Sequence, residues 1–393
     1  MSETSHLNRK EELKTWRIFI LLVPFQFIFG LIYSWGSISL AIHHQSEWPH
    51  STLDIAFSLT PLSLLPAVIL SGHWLQRITP KTMLAWAMVC FSVGSVIGLF
   101  ANTPWLFILG YSVLALGLGA GLSTSACIAL ISRLYPEHRG KLGGGLLAVY
   151  GASSVLSVPI FNALNIYIAW RPALGILLGS YAVFGWLCWV LLPSFPVASN
   201  QKSDHIAFKT LLSHRPLVWA LCLVLAAAPF GSATFATIGR LAQEMGLSQT
   251  FVVAAVAMLA LGNGLGRLAA GVLADMYSAQ MSRNVVLTLN ALAYVVFLIV
   301  SYSGMHWLFW SFPLLIGSAF GGLAGKLPSL AAHVFPEHPS AAFGLLFGTF
   351  AMGSFLGPLV SAEIGTNHAI QFLGLLAFLA LPMGLIERSS KQL

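Results

Sequence analysis

"RLYPEHRGKLGGGLLAVYGASSVL", residues 133–156, recurs in altered form 200 residues later as "HVFPEHPSAAFGLLFGTFAMGSFL", residues 333–356. Both copies begin with a polar loop that contains Pro-Glu-His and continue into a long, glycine-rich apolar run. The positions that are identical in the two copies are Pro136, Glu137, His138, Gly144, Leu146, Ser154 and Leu156 in the first and Pro336, Glu337, His338, Gly344, Leu346, Ser354 and Leu356 in the second. A repeat at this distance indicates that the chain consists of two related halves.

The composition indicates that these apolar runs cross a membrane. Of 393 residues, 57% are hydrophobic and only 8% are charged, whereas soluble domains carry roughly a quarter charged residues. Runs of about 20 apolar residues are long enough to span a bilayer as helices. We predict an all-α membrane protein with twelve spans, at 18–40, 55–75, 83–101, 105–132, 143–165, 172–193, 217–240, 249–274, 284–303, 307–333, 342–363 and 369–387.

The distribution of basic residues predicts the orientation. With twelve spans, most Lys and Arg residues fall on the side that holds both chain ends, and the positive-inside rule makes that side cytoplasmic. These residues are Arg9, Lys10, Lys14, Arg17, Arg77, Lys81, Arg133, Arg139, Lys141, Lys202, Lys209, Arg215, Arg283, Arg388 and Lys391. The opposite side has Arg171 and Arg240, and two cations, Arg267 and Lys326, lie inside predicted spans.

A polar interval, "SFPVASNQKSDHIAFKTLLSHR" at 194–215, separates six spans from six. We therefore predict a cytoplasmic N-terminal segment (1–17), an N-terminal six-helix bundle (18–193), a cytoplasmic linker (194–215), a C-terminal six-helix bundle (216–387) and a cytoplasmic tail (388–393). No small-residue cleavage site precedes or follows the first span, so we expect it to be retained.

Two loop segments resemble the loop motif of the major facilitator superfamily. They are "GHWLQRITPK" (72–81) and "GVLADMYSAQ" (271–280), and each keeps a different part of the motif. The resemblance implies that two bundles rock around a central cavity that helices 1, 2, 4, 5, 7, 8, 10 and 11 line. We interpret Asp275 and Arg77 in these loops as a conformational latch.

The two intramembrane cations, Arg267 and Lys326, point to an anionic ligand. A charge at membrane depth normally faces a wet cavity or a partner, and no predicted span has an acid at its centre. A structural ion pair remains an alternative for both residues, and snorkelling to the interface remains one for Lys326. Each cation lies about 12 Å from the cytoplasmic end of its helix at 1.5 Å per residue. We therefore expect both at one level of one cavity, where an Arg fork suits a carboxylate.

Further segments resemble the oxalate/formate antiporter family and related monocarboxylate transporters. They are "GLIYSW" (30–35), "AFSLT" (56–60), "RLYPEHRG" (133–140), "NGLGRLAAGVLAD" (263–275) and "GGLAGKLPS" (321–329). The resemblance implies that Arg267 is the principal carboxylate ligand and that Tyr33 lines the site. Tyr150 on helix 5 is a further candidate contact.

The chain departs from this family at several site positions. The second cation that oxalate-type members carry on helix 11 is replaced by Phe350, and the aromatic positions of helices 4 and 10 are represented by Thr124 and Phe320. We hypothesise that the second cation has moved to Lys326. Asn263 stands where monocarboxylate transporters have an Asp, so the resemblance implies that proton coupling through that residue and Arg267 is not available.

These features predict a secondary active or exchange transporter of small organic anions, mono- or short dicarboxylates, that works by rocker-switch alternating access. We expect a monomer in the inner (plasma) membrane with the lipid bilayer and the anion as partners, and without nucleic acid, cofactor or metal. An enzyme would need convergent nucleophiles, bases or metal ligands at membrane depth, and the sequence has none. The alternatives are an exporter of another small solute or drug and a transporter-like sensor without turnover.

Overall fold

The computed structural model describes residues 3–75, 77–135, 139–197, 213–303, 305–337 and 339–390, and within them the chain is helical with no β-strand. Twelve helices are long and apolar enough to cross a membrane, which confirms the predicted fold class. The stretches of these helices that qualify as spans are α1 (Trp16–Ser46), α2 (His50–Ser71), α3 (Pro80–Leu99), α4 (Pro104–Leu134), α5 (Leu142–Tyr167), α6 (Trp170–Leu191), α7 (Arg215–Glu244), α8 (Gln249–Ala274), α9 (Gln280–Ser303), α10 (Leu308–Gly325), α11 (Ala342–Ile364) and α12 (Thr366–Gly384). Most of the predicted linker, 198–212, lies outside the described residues.

Several spans contain an irregular turn. In α1 the segment Gly30–Ser34 winds as a 3-10 helix, and in α4 the segment Ile108–Leu118 winds as a π-helix. The α-helix of α10 ends at Gly325, and a short helix, Leu327–Val334, continues the chain. Pro328 at the start of that helix lacks an N–H, so the hydrogen-bond ladder is interrupted there. Short 3-10 and π stretches inside helices often mark functional sites.

The two halves of the chain pack together through α2 on α11 and α5 on α8. Small residues line the second of these contacts: a Cβ atom built on Gly264 would lie 2.7 Å from the Cβ atom of Ala152. Small side chains let helix backbones approach closely, which favours helix association in a membrane. The α5–α8 contact therefore fixes the position of one half against the other in the middle of the bundle.

A buried ion pair joins the two halves at the end of the bundle where α1 and α7 finish. We call this end, which lies opposite the chain termini, the distal end. Arg240 at the end of α7 donates from Nη2 to Asp54 Oδ2 on α2 at 2.9 Å, and its Nε donates to the hydroxyl of Thr366 on α12. The Arg240 and Asp54 side chains are only 12% and 4% exposed. Glu244, which is half exposed, lies 3.9 Å from Arg240 and adds a weaker contact.

The backbones of α1 and α7 touch beside this ion pair. A Cβ atom built on Gly239 would lie only 2.5 Å from the carbonyl oxygen of Gly36, so neither a larger residue nor a ligand fits between them. His44 and Gln243 approach each other at the rim, with 3.4 Å between their Nε2 atoms. The distal end of the interface between the halves is therefore closed.

We predict that Asp54→Asn opens the distal end. Removing the carboxylate leaves the Arg240 charge buried without its anionic partner, and breaking a buried pair in this way costs about 3–5 kcal/mol. Spin labels on His44→Cys and Gln243→Cys, with the four native cysteines replaced by alanine, should couple strongly in the parent. In Asp54→Asn a substantial uncoupled population should appear in the continuous-wave EPR spectrum.

Glu244→Gln is the matched control for this measurement. It removes the other carboxylate near Arg240, but an exposed ion pair contributes only about 0–1 kcal/mol, so the label coupling should stay as in the parent. Equal coupling in the parent and in Asp54→Asn would contradict a closing role for the buried pair.

Candidate functional site

Arg267 of α8 lies at the interface between the halves with only 6% of its surface exposed. Its Nη2 donates to the hydroxyl of Tyr33 on α1 at 2.7 Å, and its Nε donates to Asn263 Oδ1, one turn earlier on α8, at 3.3 Å. Both partners are neutral. Within the described part of the chain, no carboxylate lies within ion-pair distance of Arg267. The buried positive charge is therefore held in place but not neutralised.

Two tyrosines from the N-terminal half lie against this guanidinium. Its Cζ atom is 5.8 Å from the ring centre of Tyr33 and 5.4 Å from that of Tyr150 on α5. The two tyrosine rings meet edge to face, with 5.7 Å between their centres. Tyr33 contacts the cation through its hydroxyl group, whereas an aromatic face such as that of Tyr150 attracts a cation through its quadrupole. The N-terminal half therefore surrounds a charge of the C-terminal half with neutral groups.

Three phenylalanine rings lie in a row that starts at Tyr33. Phe235 on α7 lies 4.6 Å from Tyr33 between ring centres, Phe320 on α10 lies 5.4 Å from Phe235, and Phe350 on α11 lies 5.0 Å from Phe320. Tyr33, Phe320 and Phe350 are predicted site residues that the structure brings together. Phe235 was not predicted, because a phenylalanine in an apolar helix carries no pattern that separates it from core residues.

Asn263 fixes the direction in which Arg267 points. Its Oδ1 accepts from Arg267, and its Nδ2 donates across the interface to the carbonyl oxygen of Gly151 on α5 at 3.3 Å. A Cβ atom built on Gly151 would lie 3.2 Å from Arg267 Nε, so glycine leaves room for the guanidinium. An asparagine can make both hydrogen bonds without adding charge, whereas an aspartate could only accept.

Thr124 of α4 contacts a residue that the sequence did not single out. Its hydroxyl donates to Gln26 Oε1 on α1 at 3.4 Å. Gln26 is almost completely buried. It was missed because one neutral amide in an apolar run gives no charge signal, although a buried amide always needs hydrogen-bond partners.

The structure does not bring Lys326 into the Arg267 cluster. Gly322, one turn before it, faces α9: a Cβ atom built there would lie 2.7 Å from Val286. Lys326 is buried, and Arg283 on α9 is the charged group near enough to act on it among the described side chains. Residues one turn apart share a helix face, so Lys326 points into the C-terminal half. The depth of Lys326 along α10 is compatible with a cavity shared with Arg267. Lys326 lies on a different face of the helix, however, so its side chain points away from that cluster.

The predicted latch residues are described only in part. Asp275 belongs to the helix Gln249–Met276, but its side chain lies outside the described residues, and Arg77 is exposed after α2. The ion pair that the described residues form between the halves is Arg240–Asp54, at the opposite end of the bundle. The latch of Asp275 and Arg77 stays a prediction.

Replacing Lys326 should relieve repulsion. We predict that Lys326→Met leaves the melting temperature in detergent unchanged or higher, because it removes a buried like charge near Arg283 and keeps a side chain of similar length. A fall in stability of more than about 2 kcal/mol would instead reveal a compensating anionic partner, since removing one member of a buried pair costs about 3–5 kcal/mol. Arg283→Met offers the reciprocal control.

Known proteins resemble this chain over most of its length. A probable sugar efflux transporter of Haemophilus influenzae (strain PittGG) is 22% identical over 390 residues, which cover 94% of each chain. Monocarboxylate transporter 11 of Mus musculus is 28% identical over 306 residues, 74% of this chain and 67% of its own. The uncharacterized MFS-type transporter YhjX of Escherichia coli (strain K12) is 23% identical over 365 residues, 86% of this chain and 85% of its own. The model of the Major Facilitator Superfamily matches residues 18–358. With its twelve membrane-length helices, the chain therefore belongs to the Major Facilitator Superfamily of membrane transporters.

Proposed function

We propose that this transporter carries small organic anions, mono- or short dicarboxylates, and that Arg267 binds their carboxylate. The observation that carries the proposal is the buried guanidinium whose described partners, Tyr33, Tyr150 and Asn263, are all neutral. A charge within the membrane costs free energy, and such a charge usually marks a functional site. A carboxylate matches the fork of a guanidinium through two parallel hydrogen bonds.

The surroundings of Arg267 suit the carbon skeleton of such an anion. The rings of Phe235, Phe320 and Phe350 extend from Tyr33 along one side. Ligand sites generally combine an apolar lining with a few polar groups that fix orientation. The guanidinium would orient the carboxylate, and the three phenylalanine rings would contact the hydrocarbon part of the anion.

We propose alternating access by rocking of the two halves in the inner (plasma) membrane, with the carrier acting as a monomer. Arg267 belongs to one half and its tyrosine partners to the other, so a bound anion would touch both halves. The closed distal contact of Arg240 with Asp54 would have to separate when the site opens to that side. Exchange is favoured over proton symport because neutral Asn263 stands beside Arg267.

Sugar efflux is the second candidate, and the name of the Haemophilus influenzae relative is the observation that favours it. A neutral sugar would leave the guanidinium charge without a counter-ion, which disfavours it physically. Counterflow into proteoliposomes decides between them, with labelled mono- and dicarboxylates in one arm and labelled hexoses and disaccharides in the other. Carboxylate exchange without sugar exchange supports the proposal, and the reverse overturns it. Binding of a ligand without exchange would instead identify a sensor.

Arg267→Gln should reduce carboxylate exchange at least about 100-fold. It removes the charge and the fork, and hydrogen bonds to charged groups contribute about 1.5–3 kcal/mol each, with tenfold for every 1.4 kcal/mol. Arg267→Lys keeps the charge but not the planar fork, so it should fall between the parent and Arg267→Gln. Exchange by Arg267→Gln at the parental rate would refute the carboxylate role.

Asn263→Asp should raise the KM for the carboxylate at least about tenfold at neutral pH, because a carboxylate one turn from Arg267 competes with the substrate for its charge. The KM should fall again as the pH is lowered, since protonation neutralises the new side chain. Asn263→Ser is the neutral control: it loses hydrogen bonds but should add no pH dependence. A KM in Asn263→Asp that equals the parental value at every pH would contradict the proposal.

A further inference from the structure

Three histidines of the N-terminal half lie at the closed distal end. The ring of His43, near the end of α1, stacks on the ring of His50, the first residue of α2, with 3.7 Å between their centres and 26° between their planes. His44 meets His43 edge to face, with 5.7 Å between ring centres. His43 and His50 are half-buried and His44 is exposed. We call these three residues the histidine cluster, and its exposure places it in reach of protons from the solution at that end.

A hydrogen bond fixes the orientation of His43 in this cluster. Its Nδ1 lies 2.7 Å from the carbonyl oxygen of Trp48. A carbonyl oxygen only accepts, so Nδ1 carries the hydrogen. Trp48 is itself buried and packs against the ring of Trp170 on α6. His43 is therefore a fixed ring against which His50 packs.

A cation of the other half acts on His50. Arg240 on α7, together with His43 and His44, is among the titratable groups near enough to act on it within the described part of the chain. Arg240 is paired with Asp54, which lies one turn after His50 on α2. While the distal end is closed, Arg240 therefore repels a proton on His50 and also occupies the carboxylate that would attract one.

Other charged groups at this end are exposed or partly exposed; they are Glu47 after α1, Arg171 on α6, Glu244 on α7, Glu363 on α11 and His368 on α12. Solvent and salt screen such charges strongly. Arg171 lies 5.7 Å from the ring centre of Trp48, so it adds positive charge beside the histidine cluster. The buried charges next to His50 are thus those of Arg240 and Asp54.

We propose that His50 is a proton-binding site whose occupation opens the distal end. When the halves separate, Arg240 leaves with α7, whereas His50 and Asp54 stay together on α2. Protonated His50 then lies four residues from the freed carboxylate of Asp54, and opposite charges at this spacing on a helix attract. The proton thus replaces Arg240 as the partner of Asp54. This inference rests on the proposed rocking of the halves but not on the identity of the substrate.

The direction of the pH effect follows from this exchange of partners. Arg240 repels the proton in the closed state, and Asp54 attracts it in the open state. A ligand shifts a conformational equilibrium toward the state that it binds better, and this holds for a proton. An unperturbed histidine has a pKa of about 6.5, so opening should increase as the pH falls through about that value.

The spin labels on His44→Cys and Gln243→Cys test the proposal, because the labelled protein retains His43 and His50. Between about pH 8 and about pH 5.5, the ratio of uncoupled to coupled labels should rise at least about threefold, and up to about tenfold for one histidine of ordinary pKa. If the parental ratio is too small to measure, the comparison is made on Thr366→Val, which loses the hydroxyl that accepts from Arg240 and so weakens the closure.

Two neutral variants of His50 provide independent readings of this rise. His50→Gln keeps a polar side chain, His50→Phe keeps a ring for the stack on His43, and neither takes up a proton in this pH range. Both should remove most of the rise. His368→Gln is the matched control: it removes an exposed histidine outside the histidine cluster and should keep the full rise.

The outcomes separate this inference from the rocking on which it rests. A parental ratio that is constant with pH, while Asp54→Asn uncouples the labels, overturns the role of His50 and leaves the rocking standing. A full rise in both His50 variants also overturns that role, since another group would then take up the proton. If neither acid nor Asp54→Asn uncouples the labels, the rocking fails together with this inference.

Discussion

A guanidinium is buried between two helix bundles without a described acid beside it, and the geometry of the candidate site depends on this charge. Arg267 belongs to the C-terminal half, but the groups that orient it include Tyr33 and Tyr150 of the other half and an asparagine that itself bonds across the interface. A buried charge without a counter-ion is costly. The cost is reduced by hydrogen bonds and aromatic faces, and an anion would reduce it further. The same charge thus explains the geometry of the site and the kind of ligand that it suits.

The position of this charge would couple binding of an anion to movement of the two halves. At the distal end the halves are joined by Arg240 and Asp54 and by direct contact of backbones at Gly36 and Gly239. In the middle they are joined through Arg267 and its tyrosines. A ligand that neutralises Arg267 would change the free energy of the middle contact without touching the distal one. Differential interaction with two states is what a ligand needs in order to shift a conformational equilibrium.

Sequence patterns were sufficient for the architecture, and they singled out part of the candidate site. The twelve spans follow from hydropathy because a helix must cross a membrane of fixed thickness. Arg267 stood out because charges are rare in spans, and Tyr33 followed from a family resemblance. Side-chain direction was less accessible: the depth of Lys326 was compatible with a shared cavity, but the face of α10 on which it lies depends on packing against α9.

Contacts between residues far apart in the sequence could not be predicted either, because they also depend on how the helices pack. Asp54 and Arg240 each lie near a helix end and read from the sequence as interfacial charges, whereas the fold brings together two residues that are 186 positions apart and buries both. Phe235 and Gln26 were overlooked because neither differs from its apolar neighbours in charge or spacing. The contacts of each residue depend on which other helix it faces.

Calorimetric titration of the purified transporter with the best-exchanged carboxylate and with the corresponding primary amide tests whether the buried guanidinium recognises negative charge. The two ligands have the same shape and differ in charge. If Arg267 binds an anion, the carboxylate should bind at least about 100-fold more tightly, or about 2.7 kcal/mol. Equal affinity for the amide would contradict the account, because it would mean that the buried guanidinium does not recognise negative charge.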